Sequence, residues 1–449
     1  MPLLEGPPGP VAQIDGREYL YFVGTGYLGL QGHAEVIRAA CEATQRYGIH
    51  SATTRAGFGN IPPTLDAERR VAEFFGTEAA FYFASGYAGN NIFLSALTDD
   101  FDLIFVDQLS HYSVWEAAQQ SRRPVYHFRH CDPGDLATSL RKKIRPGQRP
   151  LVLSDGVFSV RGTIAPVAEY RNVLASYDDA ILLLDDAHAI GVLGAHGRGT
   201  YEHAGLWHSD SPRPLAGEGP NSNSPLPLGE GQGLRAMGRR ARAADEPTGP
   251  DRLAQRSPHP NPLPKGEGTS MDSLPKVEET RINSLPLGER TDVATFLGGT
   301  MSKAVGGFGG AIPGSQRFIE QVKKASHWYE GASAPMAAAA AATAKALELL
   351  MADPGLRTRL CANAHLLKDG LRHLGFEVDQ TPVPIACLIA GTAENMQRIQ
   401  RGLMDRGIAV AYMAAYAGLG AEGGLRIAVF ATHTEAMIQQ LLDELKRLG

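Results

Sequence analysis

An α/β fold, with a mostly parallel sheet covered by helices and a smaller α+β domain after it, is what this 449-residue chain predicts. Three observations carry that reading. From about Glu35 to Ser326, one interruption apart, short apolar runs alternate with amphipathic helical patterns, the mark of strand–helix–strand units. Polar residues capable of chemistry recur just past the ends of those runs, where open α/β sheets place their ligands. After Ala334 the pattern changes to two long helical stretches, then short strands at 385–390, 408–412 and 425–430 separated by a helix near Glu394 to Arg406. Thr434-Glu435 opens a closing helix.

Each strand of the first part brings its own polar segment. Phe81 to Ala84 reads as a strand that breaks at Ser85-Gly86-Tyr87-Ala88-Gly89-Asn90 into a helix, and a glycine turn opening a helix is a seat for phosphate. Leu103 to Val106 leads to Ser110-His111-Tyr112-Ser113, where His111 is placed to stack on a planar ligand. Leu151 to Leu153 leads to Asp155-Gly156-Val157-Phe158-Ser159, with Ser159 as a hydroxyl donor. Ile181 to Leu184 is wholly apolar, reads as a buried parallel strand, and ends in Asp185-Asp186-Ala187-His188. Taken alone, Asp-x-x-His suits a metal pair or a strand-end cap equally well.

The most informative stretch is Thr300-Met301-Ser302-Lys303-Ala304-Val305-Gly306-Gly307. Its glycines let a flat ligand approach the backbone, Thr300 and Ser302 offer hydroxyls to a phosphate, and the Lys303 amine can condense with an aldehyde. An isolated Ser-Lys pair would be an exposed turn. Together with Asp185, which can keep a pyridine nitrogen protonated, and His188, which can reach a ring oxygen, it points to pyridoxal 5'-phosphate.

The succession Tyr27-Leu28-Gly29-Leu30, Ser85-Gly86-Tyr87, Ser110 to Ser113, Asp155 to Ser159, Asp185 to His188, Gly197-Arg198-Gly199, Thr300-x-Ser302-Lys303 and Leu425-Arg426-Ile427 resembles the α-oxoamine synthases. These are fold-type-I pyridoxal phosphate enzymes that join a small amino acid to an acyl-CoA with loss of carbon dioxide. The resemblance implies a seven-stranded, mostly parallel sheet in the large domain, a homodimer, and an activity like that of 8-amino-7-oxononanoate synthase or 2-amino-3-ketobutyrate CoA ligase. It assigns Lys303 as Schiff-base lysine and proton acceptor, and Asp185 as partner of the pyridinium nitrogen. His188 and Ser159 go to the ring oxygen, and His111 stacks on the ring and donates to a developing oxyanion. Gly86, Tyr87 and Thr300 place phosphate and ring, and Arg426 holds the substrate carboxylate. A fold-type-I aminotransferase or lyase that never uses CoA, and an inactive homologue, are the alternatives.

The chain departs from that pattern at Thr25-Gly26, where the family carries asparagine, at Thr64, where it carries histidine, and at Tyr329-Glu330-Gly331-Ala332, where it carries Phe-Ser-x-Ser. Ser333 is the nearest replacement for the missing serines. The expected boundaries are an N-terminal segment 1–34 packing with the small domain, a cofactor-binding large domain 35–333, and a small domain 334–449.

A formal net charge of −5 argues against a nucleic-acid surface. The four cysteines, Cys41, Cys131, Cys361 and Cys387, lack metal or redox spacing, which fits a cytoplasmic setting. Met1 to Pro10 has neither a charged n-region nor an apolar core, so no signal peptide is expected, and the alanine-rich run Ala334 to Ala344 reads as a buried helix rather than a membrane span.

Residues 208–290 belong to neither domain. They hold 13 of the 29 prolines and no Phe, Trp or Tyr, a composition that cannot offset its ordering entropy and predicts disorder. Similar strings recur at 211–219, 224–231, 261–268 and 284–290 without a fixed period, as in-frame copies of a dispersed DNA repeat would. Excision leaves 449 − 83 = 366 residues, a size suited to the enzyme core. Loop-closure cost grows only as about (3/2)RT ln n, so the insertion costs a few kcal/mol at most. Joining Leu206 to Thr291 through a short Gly/Ser linker should therefore give a soluble, cofactor-loaded protein whose melting temperature is no lower than the parent's.

Overall fold

The computed structural model describes residues 2–207, 293–414 and 418–449. The insert expected over 208–290 lies outside the described residues, as do Met1, Thr291, Asp292 and residues 415–417. The large sheet has seven strands in the spatial order Ala79–Phe83, Gly310–Gly314, Ala294–Thr300, Ile181–Asp185, Pro150–Asp155, Leu103–Asp107 and Val125–Phe128. Gly310–Gly314 alone runs antiparallel to its neighbours, and every other pair is parallel. The expected mostly parallel sheet is therefore present, and each of the four strands whose limits were read from the sequence extends one or two residues beyond at least one of them. Asp107, Asp155 and Asp185 each close a strand, because the ladder continues past the last apolar residue.

The central strands are apolar on both faces, as burial under helices requires. Ile181, Leu182, Leu183 and Leu184 are all inaccessible to solvent. On one face Leu182 and Leu184 share a core with Phe75, Phe105 and Tyr170; on the other Leu183 joins Phe93, Phe296 and Ile312. The alanine-rich run forms the helix Ala337–Ala352, which packs against Ala34–Tyr47 and Pro62–Phe75. Its buried Ala337, Ala340 and Ala344 keep one face thin and allow close approach.

The later part of the chain forms a three-stranded antiparallel sheet in the order Ile385–Leu388, Gly424–Ala428, Ala411–Met413. It is covered by the helices Gly355–His373, Ala393–Asp405 and Glu435–Leu448, whose Leu367, Ile399 and Leu441 meet Leu425 and Ile427 in a third core. Thr392 and Thr434 cap two of these helices, each accepting from a backbone N–H three residues on. The single strand expected over 408–412 is in fact two. Ile408–Ala409 pairs in parallel with Arg17–Tyr21 in a separate four-stranded sheet, and Ala411–Met413 pairs with Gly424–Ala428. Val410 sits at the crossover, buried, with its carbonyl taken by Gln400 Nε2 at 3.1 Å. Among the described residues no helix is long and apolar enough to cross a membrane.

Where these parts meet, the His433 ring stacks on Phe22 at 4.3 Å and accepts a hydrogen bond from the Phe430 N–H at 2.8 Å. Burial lowers this imidazole from an ordinary 6.5 to about 4. An unfolded chain takes up the proton near 6.5 while the folded one resists it, so stability is complete above that pH and falls as the pH drops towards about 4. The loss should be on the order of 2–3 kcal/mol. Denaturant titrations of His433→Gln between these pH values should show a flatter acid limb than the parent.

Candidate active site

One cavity of about 190 Å³ opens at the carboxyl ends of the sheet strands. All eight residues expected to bind the cofactor line it: Gly86, Tyr87, His111, Ser159, Asp185, His188, Thr300 and Lys303. Arg426 lies outside that lining but reaches the same segments, since its Nε donates to the Ser159 carbonyl at 2.9 Å.

At one wall, the Ser85-Gly86-Tyr87 turn rests on Thr300. A Cβ at Gly86 would collide with Thr300 Cβ and Oγ1, and one at Gly310 would meet the Gly86 backbone, so only glycines allow this packing. The turn continues into the helix Gly89–Ala96, whose first N–H groups suit a phosphate. Thr300 Oγ1 lies 2.6 Å from Ser302 Oγ and donates to the Gly309 carbonyl at 3.0 Å, fixing both hydroxyls at this wall.

Asp185 is held from three sides. Its Oδ2 accepts from Asn90 Nδ2 at 2.7 Å and Ser113 Oγ at 3.4 Å, and its Oδ1 accepts from the Ala187 N–H at 3.2 Å. Asp186 points away, as successive strand residues do. It is wholly buried and accepts from the Thr200 N–H at 2.7 Å and Thr200 Oγ1 at 2.5 Å, tying down the chain just after Gly197-Arg198-Gly199. The two neighbouring aspartates therefore divide the work, one serving the cavity and one the scaffold.

Lys303 lines the cavity, and among the described residues its amine has no hydrogen-bond partner. Burial holds the amine below its ordinary value, with the charges of Asp185 and Asp155 opposing. Burial likewise keeps the His188 imidazole neutral, aided by the positive charges of Lys303 and Arg426. Its Nδ1 is 2.8 Å from the Tyr27 hydroxyl, which in turn accepts from Arg426 Nη2 at 3.3 Å. His111 caps the helix Tyr112–Gln120 through Nδ1, which accepts from the Ser113 N–H at 3.2 Å, and its ring meets Tyr87 edge-on at 5.9 Å. The Asp155 carboxyl accepts from the His111 N–H at 3.2 Å and is pushed well above the carboxylate range by burial and then by Asp185.

Four of these side chains had no role in the sequence reading: Asn90, Ser113, Tyr27 and Asp155. All lie inside the quoted motifs, so the signal was present. Their partners, however, are 95, 72, 161 and 44 residues away, and nothing local announces them. Thr64, at a position of departure, is buried in the helix Pro62–Phe75, and its hydroxyl has no partner among the described residues. Ser333 forms an isolated bridge with Thr54.

The donor set fits pyridoxal 5'-phosphate. A glycine-cleared wall with two hydroxyls and a helix start accommodates a phosphate, a pinned carboxylate suits a ring nitrogen, and a neutral imidazole and a hydroxyl suit a ring oxygen. The sequence model of the aminotransferase class I and II family matches residues 24–221 and 269–445, and this chain belongs to that family. It is 28% identical to an 8-amino-7-oxononanoate synthase of Pseudomonas putida over 444 residues, covering 99% of this chain and 92% of the relative. An enzyme of the same name from Geotalea daltonii is 29% identical over 452 residues, covering 100% and 93%. Among solved structures, a serine palmitoyltransferase of S. paucimobilis with a bound PLP–myriocin aldimine superposes with a TM-score of 0.76 at 24% identity, covering 100% of this chain and 92% of that one. The resemblance to α-oxoamine synthases, the fold type and the cofactor expected from the sequence are borne out: this is a fold-type-I pyridoxal phosphate enzyme.

Gly86→Ala tests the wall. The added methyl should push the turn off Thr300 and weaken pyridoxal phosphate retention by about 10-fold or more, a loss of roughly 1.4 kcal/mol. Equilibrium dialysis of the cofactor, with circular dichroism to check the fold, measures it.

Proposed function

We propose that this enzyme condenses a small amino acid with an acyl-CoA, with loss of carbon dioxide, in the manner of an 8-amino-7-oxononanoate synthase. The observation that carries the reading is the convergence of all eight expected cofactor residues on one cavity, with Arg426 beside it. When bound, pyridoxal phosphate supplies an electron sink for the charge left on the amino acid's α-carbon.

The side chains have distinct tasks. Lys303 anchors the cofactor and, with an amine held below its ordinary value, takes the α-proton. Asp185, held in place by Asn90 and the Ala187 N–H, would pair with the ring nitrogen. His188, kept neutral, and Ser159 address the ring oxygen. His111, which lines the cavity, would stack on the ring and donate to the thioester carbonyl oxygen as it becomes negative. Arg426 presents its remaining N–H donors to the substrate carboxylate, its Nε, Nη1 and Nη2 being braced by Ser159, Gly24 and Tyr27.

A homodimer and a cytoplasmic setting belong to the same proposal, as does the division into domains 35–333 and 334–449 with 1–34 on the smaller one. Phe58, 95% exposed, stands with exposed Ile49 and Met336 on segments linked by the Ala337 N–H to Ile49 carbonyl and Ala56 N–H to Tyr329 carbonyl hydrogen bonds, an apolar area suited to a second copy. The pairing of Arg17–Tyr21 with Ile408–Ala409 supports the assignment of the N-terminal segment.

The test is release of coenzyme A from a panel of acyl-CoAs in the presence of glycine, alanine or serine. Release should require both substrates, and Lys303→Ala should lower it by at least about 10²-fold. Conversion of the cofactor to its amine form by an amino donor, with no thiol released, would mark a transaminase instead.

A further inference from the structure

A second cluster of ligand-type side chains lies beside the cavity and takes no part in the chemistry above. Asp107 ends the strand Leu103–Asp107, four residues before His111, and its side chain is completely enclosed. Among the described residues no lysine or arginine pairs with it. Its Oδ1 accepts from the Leu109 N–H at 2.9 Å and lies 3.1 Å from His130 Nδ1. Its Oδ2 accepts from the Cys131 N–H at 2.8 Å and the Tyr170 hydroxyl at 3.3 Å. One donor atom each from Asp107, His130 and Cys131 lies within 4.8 Å of the others.

We propose that Asp107, His130 and Cys131 form a binding site for a borderline-soft divalent cation, zinc by the chemistry of the set. A thiolate, an imidazole and a carboxylate are the three ligand types zinc takes, and three protein ligands leave a position for water. The hydrogen bonds from Tyr170, Leu109 and the Cys131 backbone are the outer-shell contacts that orient a ligating carboxylate. These donors satisfy the enclosed carboxylate's oxygens but bring no lysine or arginine charge to it, and a divalent cation would supply that charge. Edge-on contact with Phe158 at 4.3 Å holds the His130 ring, whose side chain keeps 21% exposure and so offers a way in from solvent.

The backbone adds an independent observation. Cys131 has φ +50°, in the left-handed region where asparagine and glycine are at ease and other residues are strained. That conformation turns the thiol and its own N–H towards the same carboxylate. It also supplies a benign probe, since asparagine suits the backbone and removes the sulfur ligand.

The full-length protein, saturated with pyridoxal phosphate and freed of metal by a chelator, is titrated with Co²⁺ and then with Zn²⁺ against a chromogenic chelator. One equivalent of Co²⁺ should bind and produce a thiolate-to-metal charge-transfer band that Zn²⁺ abolishes. Cys131→Asn should fold with an unchanged or higher melting temperature, lose that band, and bind Zn²⁺ at least about 10-fold more weakly. Equal Zn²⁺ affinity in parent and variant, or Co²⁺ binding without the band, would overturn the site. Should the variant fail to fold, alkylation of the parent decides: Zn²⁺ should slow labelling of Cys131 while leaving exposed Cys41 unaffected, and no protection of Cys131 refutes the proposal.

Discussion

The fixed position of the Asp185 carboxylate is the constraint around which the rest of the site is arranged. A strand whose four preceding residues are all sealed in the core cannot shift its end, and Asp185 inherits that rigidity. Asn90, from the helix after the first sheet strand, and Ser113, from the helix after the Leu103–Asp107 strand, then close on the same oxygen. Three separate sheet connections thereby converge on one carboxylate. A preorganised charge of this kind needs no reorganisation when the reaction calls on it, which is where electrostatic catalysis gains most.

The surrounding groups are poised by the same burial. Lys303 and His188 are both pushed towards neutrality, while Asp155, one strand over, is pushed towards its protonated form. Of the two neighbouring carboxyls, Asp185 is the better supplied with hydrogen-bond donors. Asp155 serves instead to hold the His111 backbone, and through it the ring that faces the cavity.

Much of this was legible in the sequence, and for a definite reason. Parallel strands buried on both faces appear as apolar runs with sharp ends, so their carboxyl ends could be located to within a few residues and the polar groups there recognised. Strand limits fell short because the ladder runs on through Asp107, Asp155 and Asp185, residues whose polarity reads as an end. The crossover at Val410 was hidden for a different reason: the run from Ile408 to Met413 is apolar throughout with no glycine or proline to break it, and only the partners, Arg17–Tyr21 on one side and Gly424–Ala428 on the other, separate its halves. Side-chain pairings across long stretches of chain, such as Tyr27 with His188, have no local pattern to betray them.

Arg426 shows how those distant pairings bind the parts into one machine. It lies on the strand Gly424–Ala428, yet its fork ends on the carbonyls of Ser159 and Gly24 and on the Tyr27 hydroxyl, drawing together three stretches of chain that share no sheet. The Tyr27 hydroxyl, pushed up to about 12 by burial, remains a neutral relay between Arg426 and His188 Nδ1. A carboxylate received by the remaining Arg426 donors would draw on the same guanidinium charge that polarises Tyr27, and the Tyr27 hydroxyl would then donate less strongly to His188. Binding at the substrate end is in this way felt at the ring end through two hydrogen bonds, without any movement of the sheet.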